Sequence, residues 1–427
     1  MMTDPFTRRA MLGRAGAGLL ASGAAMAGMP GAADAQGTGP EAMAGRVVNV
    51  VQLGADRTGR SDASAQFQQA IDTLAPTGGT IYIPAGTYKI GRTLVWQNGE
   101  NRRAPGILFL GDGVHSTVLL SEIGAGPLLR VRGVRTSGPV DTSFFWGGGL
   151  RNLTLRGNEG GAGQHGLEVL GWYYGEINNC HFVGFGGDGI RAVTDLALSP
   201  NPDFTSSTLF VRGTWFERLG GWGFLDTSVA QGAPGWSWDR VVFILCRRGG
   251  AHVRSGGHSF TSCSFGMCGW RSERGPMADT AYGLYFDGGA TACSQQIVEG
   301  CEFDSNLTAH IGARFLAASS FFSNRFNFND VLHLGRLCPA KGIELGIGDY
   351  NATILGVLFR QSFFRVDIPG EMVAYDFVNS ANVRDVEIGG SVFTAPPGAR
   401  VTRYRGHDPG GRGAAYGYVI HERPPEE

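Results

Sequence analysis

The stretch Ile177–Val193, INNCHFVGFGGDGIRAV, carries the pattern that decides the fold. A Cys stands two residues before a Phe, and a Gly-Ile pair opens seven residues after that Phe. The same frame recurs along the chain. Leu155, Phe182, Phe216, Phe243, Phe265, Phe303 and Phe326 share the large apolar position, with Phe363 and Phe393 as looser continuations. Two residues earlier stand Leu153, Cys180, Thr214, Val241, Cys263, Cys301 and Asn324. Seven residues later stand Gly189, Gly223, Gly250, His310 and His333, while Gly166-Leu167 and Gly283-Leu284 show the same feature after insertions.

The apolar positions recur at intervals of about 22 to 38 residues, a repeat-protein period. Each unit holds two or three short alternating segments separated by glycines and no helix-length periodic stretch. Repeats built of short strands predict an all-β parallel solenoid. Coils stacked at about 4.8 Å bring like residues into ladders, so Cys and Phe fill inner slots and Gly marks a corner. A β-propeller is the second choice, because its blades need four strands in about 40–50 residues. One helix precedes the repeats. Ser61-Asp62 offers capping chemistry, Phe67, Ala70, Ile71 and Leu74 form one stripe, and Pro76 with Gly78-Gly79 ends it.

Composition narrows the class. Hydrophobic residues make up 42% of 427, enough for a large core, and 69 glycines without a Gly-X-Y period exclude collagen. A net charge of -1 gives no electrostatic case for nucleic acid. At the N-terminus, Thr7-Arg8-Arg9 precedes a Gly/Ala-rich apolar run ending in Ala33-Asp34-Ala35. That pattern reads as a twin-arginine export signal over residues 1–35, with no integral membrane segment after its removal and a periplasmic or extracellular product. The solenoid is expected over 46–395, and 396–427, rich in Pro, Gly and Arg, as a tail or cap.

The run VNVVQLGADRTGRSD followed by QQAIDTLAPTGGTIYIPAGTYKI resembles the opening module of the pectate lyase superfamily, and INNCHFVGFGGDGI and IVEGCEFDSNLTAHI resemble its repeats. The resemblance implies a right-handed, single-stranded parallel β-helix with one N-terminal capping helix. The scaffold does not by itself fix an activity; the expected one is an enzyme acting on a polysaccharide or oligosaccharide, a lyase for an acidic, uronate-containing glycan, because Arg, His and Tyr outnumber well-placed acid pairs. A polygalacturonase-like glycoside hydrolase and a non-catalytic glycan-binding β-helix are the alternatives. Asp188 in GGDGI matches the first Asp of the polygalacturonase N-T-D-G-I motif, but GGWGF follows where an Asp-Asp pair belongs, and GGHS at 256–259 replaces Gly-His-Gly. The calcium-binding acids of pectate lyase have no match; no cofactor is evident, and calcium stays open.

Two outward columns flank the Gly-Ile feature. Directly before it stand His165, Asp188, Trp222, Gly249 and Tyr282; two residues after the glycine stand Glu168, Arg191, Leu225, His252 and Tyr285. His165, Asp188, Arg191, Glu168 and Tyr282 are the catalytic candidates, as general acid/base groups and a guanidinium for a uronate carboxylate. Trp222, His252, Tyr285, Asp287 and Trp172 are the substrate-binding candidates, since flat rings stack on sugars. For elimination, Arg191, His165 and Tyr282 act together; for hydrolysis, Asp188 pairs with Glu168 or Asp287. The competing readings are bland: Glu168 with Arg191 as a surface ion pair, Asp188 as a turn former, His310 and His333 as a stacked structural pair. Insertions 195–206, 226–236 and 269–281 are expected to wall a groove. Cys180, Cys263 and Cys301 read as inert buried thiols, and Cys246 and Cys268 as near enough for a disulfide. No Cys/His spacing suggests a metal site.

Overall fold

A computed structural model describes residues 46–98, 104–134, 144–158, 161, 163–193, 206–227, 235–270, 280–288, 293–330, 337, 339–348, 353–378, 383–406 and 419–421. The signal-like segment 1–35 lies outside them, as does most of the insertions 195–206, 226–236 and 269–281. Among the described residues no helix is long and apolar enough to cross a membrane.

The chain is a right-handed parallel β-helix. Two parallel ladders lie side by side in one large sheet, and a third ladder closes each coil. The first ladder includes Val47–Asn49, Gly79–Ile83, Phe210–Arg212 and Ser237–Asp239. The second includes Gly86–Ile90, Thr117–Ser121, Trp215–Glu217, Val242–Ile244 and Val392–Thr394. The third runs from Leu94–Gln97 through Gln164–Leu170, Ile190–Ala192, Trp222–Asp226 and Tyr282–Phe286 to Arg400–Arg405. The stack therefore runs on past residue 395, and Val419–His421 also joins it, on Glu387–Gly389.

The recurring frame has a packing cause. Phe182, Phe216, Phe243, Phe265, Phe303, Phe326, Phe364 and Phe393 form one stack inside the second ladder, neighbouring centroids 4.9–5.1 Å apart and rings within 19° of parallel. Phe364, not Phe363, holds the slot; Phe363 instead lies under the Arg325 guanidinium at 5.8 Å. The Gly of Gly-Ile is set by room rather than by a turn. A Cβ on Gly189 would stand 2.5 Å from Phe216 Cδ1, and one on Gly223 2.3 Å from Phe243 Cδ1. Phe182, Phe216, Phe243, Phe265 and Phe303 thus each press on a glycine of the coil before, Gly166, Gly189, Gly223, Gly250 and Gly283 in turn. The corner lies elsewhere. Asn152, Asn179, Gly213, Arg240, Ser262, Gly300 and Ser323, with φ between 51° and 60°, turn the chain from the first ladder into the second. The inward Leu153, Cys180 and Cys263 follow that left-handed residue directly.

Cys180, Cys263 and Cys301 are buried, free and point at backbone carbonyls, and burial pushes the Cys180 thiol up to about 12. Cys246 and Cys268 are also free buried thiols in place of the disulfide considered above. His310 is fully buried beside Phe303, Phe326 and Phe328, and burial lowers it to about 3. His333 lies outside the described residues. Register gives the place opposite His310 to Gly342, because Ala309 pairs with Lys341. The lengthened connection before Lys341 is what displaced the sequence alignment.

Helix α1 (Ser64–Leu74) buries Phe67, Ala70, Ile71 and Leu74 against the first coil. It starts later than Ser61-Asp62 suggests, because Thr58–Asp62 pairs as a strand with the strand Gly86–Ile90. Asp62 still serves the helix end: its carboxylate accepts the Ser64 N–H at 2.9 Å.

Candidate functional site

The outer face of the third ladder carries both predicted columns in register. The first reads His165, Asp188, Trp222, Gly249, Tyr282, Ala309, Lys341; the second reads Arg130, Glu168, Arg191, Leu225, His252, Tyr285, Gly312, Glu344, Asp376, Arg405. Strand alternation dictates this. Leu167, Ile190, Phe224, Ala251 and Leu284 point into the core, so the flanking residues face out. The face divides into two polar clusters with an aromatic bridge between them.

The N-terminal cluster gathers His165, Asp188, Arg191 and Glu168. The Asp188 backbone N–H donates to His165 Nδ1 at 2.9 Å. A neutral ring therefore carries its proton on Nε2. Burial lowers the His165 pKa; Arg191 adds to that, and Asp188 and Glu168 oppose it. The Asp188 side chain is 5% exposed and fully engaged. Its Oδ1 accepts the Trp222 N–H at 2.9 Å, and its Oδ2 lies 3.3 Å from Arg191 Nε and 3.4 Å from His165 Nδ1. Asp188 thus ties three coils together and positions the groups around it. Glu168 is not paired with Arg191; Arg130 Nε meets its Oε1 at 2.6 Å, and Arg132 lies at 3.9 Å. Arg191 keeps a third of its side chain exposed.

The bridge consists of Trp222, His252, Tyr285 and Tyr282. Tyr282 stacks on Tyr285 at 4.9 Å, and His252 sits 5.1 Å from Trp222 and 5.2 Å from Tyr285. The rings lie flat along the ladder over small residues: a Cβ on Gly249 would meet Trp222 Cζ3 at 2.1 Å, and one on Gly312 would meet Tyr282 Cε1 at 2.6 Å. Trp222 is only 8% exposed, so it supports the bridge more than it presents a ring face. Asp287 lies 3.8 Å from His252 Nε2 and 3.9 Å from Arg314.

The C-terminal cluster contains Tyr282, Lys341, Glu344, Asp376 and Arg405, lining a concavity of about 460 Å³. The Tyr282 hydroxyl donates to Glu344 Oε2 at 3.1 Å; burial and Glu344 raise its pKa far above the usual value, so it stays a phenol. Lys341 pairs with Glu344 and reaches Asp376 at 3.3 Å, while Arg405 grips Asp376 through Nε at 2.9 Å and through Nη2.

Three expected groupings change. Tyr282 stands three rungs from Asp188, by way of Trp222 and Gly249, roughly 14 Å along the ladder. It therefore does not share one sugar with His165 and Arg191. Asp287, on the same strand turn as Tyr282, is too far from Asp188 for a hydrolytic pair. Trp172 is interior, not a groove wall: it is 1% exposed, its Nε1–H donates to Gly147 O at 2.8 Å, and Trp96 packs against it at 5.9 Å. The exposed rings there are Tyr174 and Trp146, stacked at 5.1 Å. Lys341, Glu344, Asp376 and Arg405 escaped the sequence reading although Lys341 continues the first column and the other three the second; following the columns two to four coils further finds them once the insertion before Lys341 is allowed for. Among the described residues no group of three or more His, Cys, Asp or Glu is placed to hold a metal ion.

The family described as Rhamnogalacturonase A/epimerase, pectate lyase-like, matches residues 47–124. Mannuronan C5-epimerase AlgE4 of Azotobacter vinelandii is 35% identical over 143 residues, covering 33% of this chain and 23% of that protein. Uncharacterized protein YclG of Bacillus subtilis is 26% identical over 189 residues, 40% of this chain and 31% of that protein. The matched stretches thus span less than a third of these relatives. Among solved structures, the AlgE4 A-module of Azotobacter vinelandii aligns with a TM-score of 0.53 at 16% identity, covering 88% of this chain and all of that one. The enzymatically active domain of bacteriophage CBA120 tailspike protein 2 aligns with a TM-score of 0.50 at 13% identity, covering 85% of this chain and 52% of that one. The structural likenesses establish the fold alone. Together the matches fit the pectate lyase-like parallel β-helix superfamily.

Proposed function

We infer that this chain is a polysaccharide-active enzyme that removes the C5 proton of a uronate sugar, with the glycan lying along the outer face of the third ladder. The observation that carries the reading is the His165 arrangement: a buried neutral imidazole, its proton assigned to Nε2 by the Asp188 N–H, beside a half-free guanidinium. The similarity over a third of the chain to proteins named mannuronan C5-epimerases supports the same substrate class. Arg191, with Arg130 and Arg132 nearby, neutralises the uronate carboxylate and so acidifies C5–H. Glu168, on the His165 strand, takes the proton, and His165 Nε2–H returns one. Return to the opposite face of C5 gives the epimer; transfer of that His165 proton to the departing 4-linked oxygen, as the C4–O bond breaks and a C4=C5 double bond forms, instead gives chain cleavage by elimination. The Arg8-Arg9 segment and the Ala33-Asp34-Ala35 site support action outside the cytoplasm.

One experiment separates the outcomes. Protein is incubated with polymannuronate and polygalacturonate in deuterium oxide and followed by proton NMR. Loss of the C5 proton is the expected result: deuterium at C5 with new epimer signals for epimerisation, or unsaturated ends that carry no hydrogen at C5 for elimination. New reducing ends with no unsaturated ends and no C5 exchange point to hydrolysis, and binding without any reaction points to a glycan-binding β-helix; either result overturns the reading. Repeating the assay with a chelator and then with added calcium tests a calcium requirement.

A further inference from the structure

We propose that the concavity formed by Tyr282, Lys341 and Arg405 is a second, remote uronate subsite, so that the protein selects long acidic chains over short ones. The inference rests on the uronate reading above. Its basis is the layering of charge. The side chains of Glu344 and Asp376 are each 6% exposed, whereas Lys341 is 32% and Arg405 49% exposed. The carboxylates lie beneath and the cations form the solvent-facing layer, so the concavity shows positive charge although its four ions sum to zero. Donors remain for a ligand. Arg405 spends Nε and Nη2 on Asp376, which leaves the hydrogens of Nη1; Lys341 meets two carboxylates with three ammonium hydrogens. Burial alone would lower the Lys341 pKa, but Glu344 and Asp376 hold it above the usual value, so the ammonium is cationic at neutral pH. The Tyr282 ring beside these donors supplies an apolar face for a sugar ring.

Spacing links the subsite to the N-terminal cluster. From Arg191 the second column steps through Leu225, His252, Tyr285 and Gly312 to Glu344, five rungs or roughly 24 Å. The Trp222–His252–Tyr285–Tyr282 pavement fills the interval. A chain long enough to touch both ends gains the second contact at high effective concentration, while a short one holds only one end at a time.

The test measures binding by calorimetry of oligomannuronates and oligogalacturonates of about three and about ten units, lengths below and above the five-rung span. For the unaltered protein, long chains are expected to bind at least about tenfold tighter than short ones. The double variant Arg405→Gln/Asp376→Asn removes both members of a pair and leaves no buried lone charge; it is expected to lose the long-chain advantage and keep short-chain affinity. Val378→Trp, at a half-exposed rim position, blocks the concavity without touching its ions and is expected to do the same. Full retention of the long-chain advantage by a folded variant overturns the subsite while leaving the C5-proton reading standing, as does a lack of length preference in the unaltered protein. Absence of binding to either uronan at any length, with no C5 exchange, overturns both.

Discussion

The inside of the second ladder and the outside of the third teach opposite lessons. Inside, eight consecutive coils place a Phe on a Phe at nearly constant spacing and tilt. Outside, neighbouring rungs bear Arg, Glu, Arg, Leu, His, Tyr, Gly, Glu, Asp and Arg. The interior solves one packing problem repeatedly, so it converges on one residue. The exterior is free of that demand, so its composition reports what each position does. Repetition marks stability here, and departure from repetition marks the site.

The sharpest test of this contrast is Phe303→Ala, a fully buried ring with Phe265 and Phe326 on either side. Its removal should cost about 3–5 kcal/mol by urea unfolding. Glycan affinity at a temperature where the variant stays folded should be unchanged; a parallel loss of affinity would blur the division between inside and outside. His165→Ala should behave conversely. C5 deuterium exchange should fall by about 100-fold or more, as for removal of an acid/base group, with a small change in melting temperature. A fully active His165→Ala would move the reaction away from this cluster. Gly223→Ala tests the fit of ring to glycine: the added methyl has Phe243 at 2.3 Å and the Gly250 carbonyl at 2.6 Å. It should destabilise by about 1–3 kcal/mol, and a neutral result would mean that the stack yields easily.

The smallest effect expected is one of pH. Burial lowers His258 to about 4 and His310 to about 3. Below the ordinary histidine value near 6.5, the unfolded chain binds these protons and the folded chain does not. Stability is therefore fully present above that value and declines as pH falls toward about 4, each histidine costing roughly 1 kcal/mol near pH 5.5. Melting curves between pH 7 and 5.5 should show the decline, and His310→Asn should reduce it.

Much of this was legible in the residues. The Cys-x-Phe and Gly-Ile spacing was enough for the solenoid, for the apolar stack and for the two outward columns, because side-chain alternation in a strand is a local property. The Gly role was read as a corner because glycine's freedom to turn and its lack of a Cβ look the same in one dimension; the Phe216 and Phe243 ring edges decide between them. Trp172 looked like a binding residue for want of any sign that Trp96 and Phe145 enclose it.

By itself the sequence determined that like residues recur at a coil's period, and hence that the chain winds into stacked turns with a fixed inside and outside. Only the tertiary structure decided which coil meets which across insertions of unequal length. That pairing carried Tyr282 away from His165 and brought it to Lys341, Glu344, Asp376 and Arg405, since loop length is invisible to the ladder while register is set by the hydrogen bonds and packed rings of neighbouring strands.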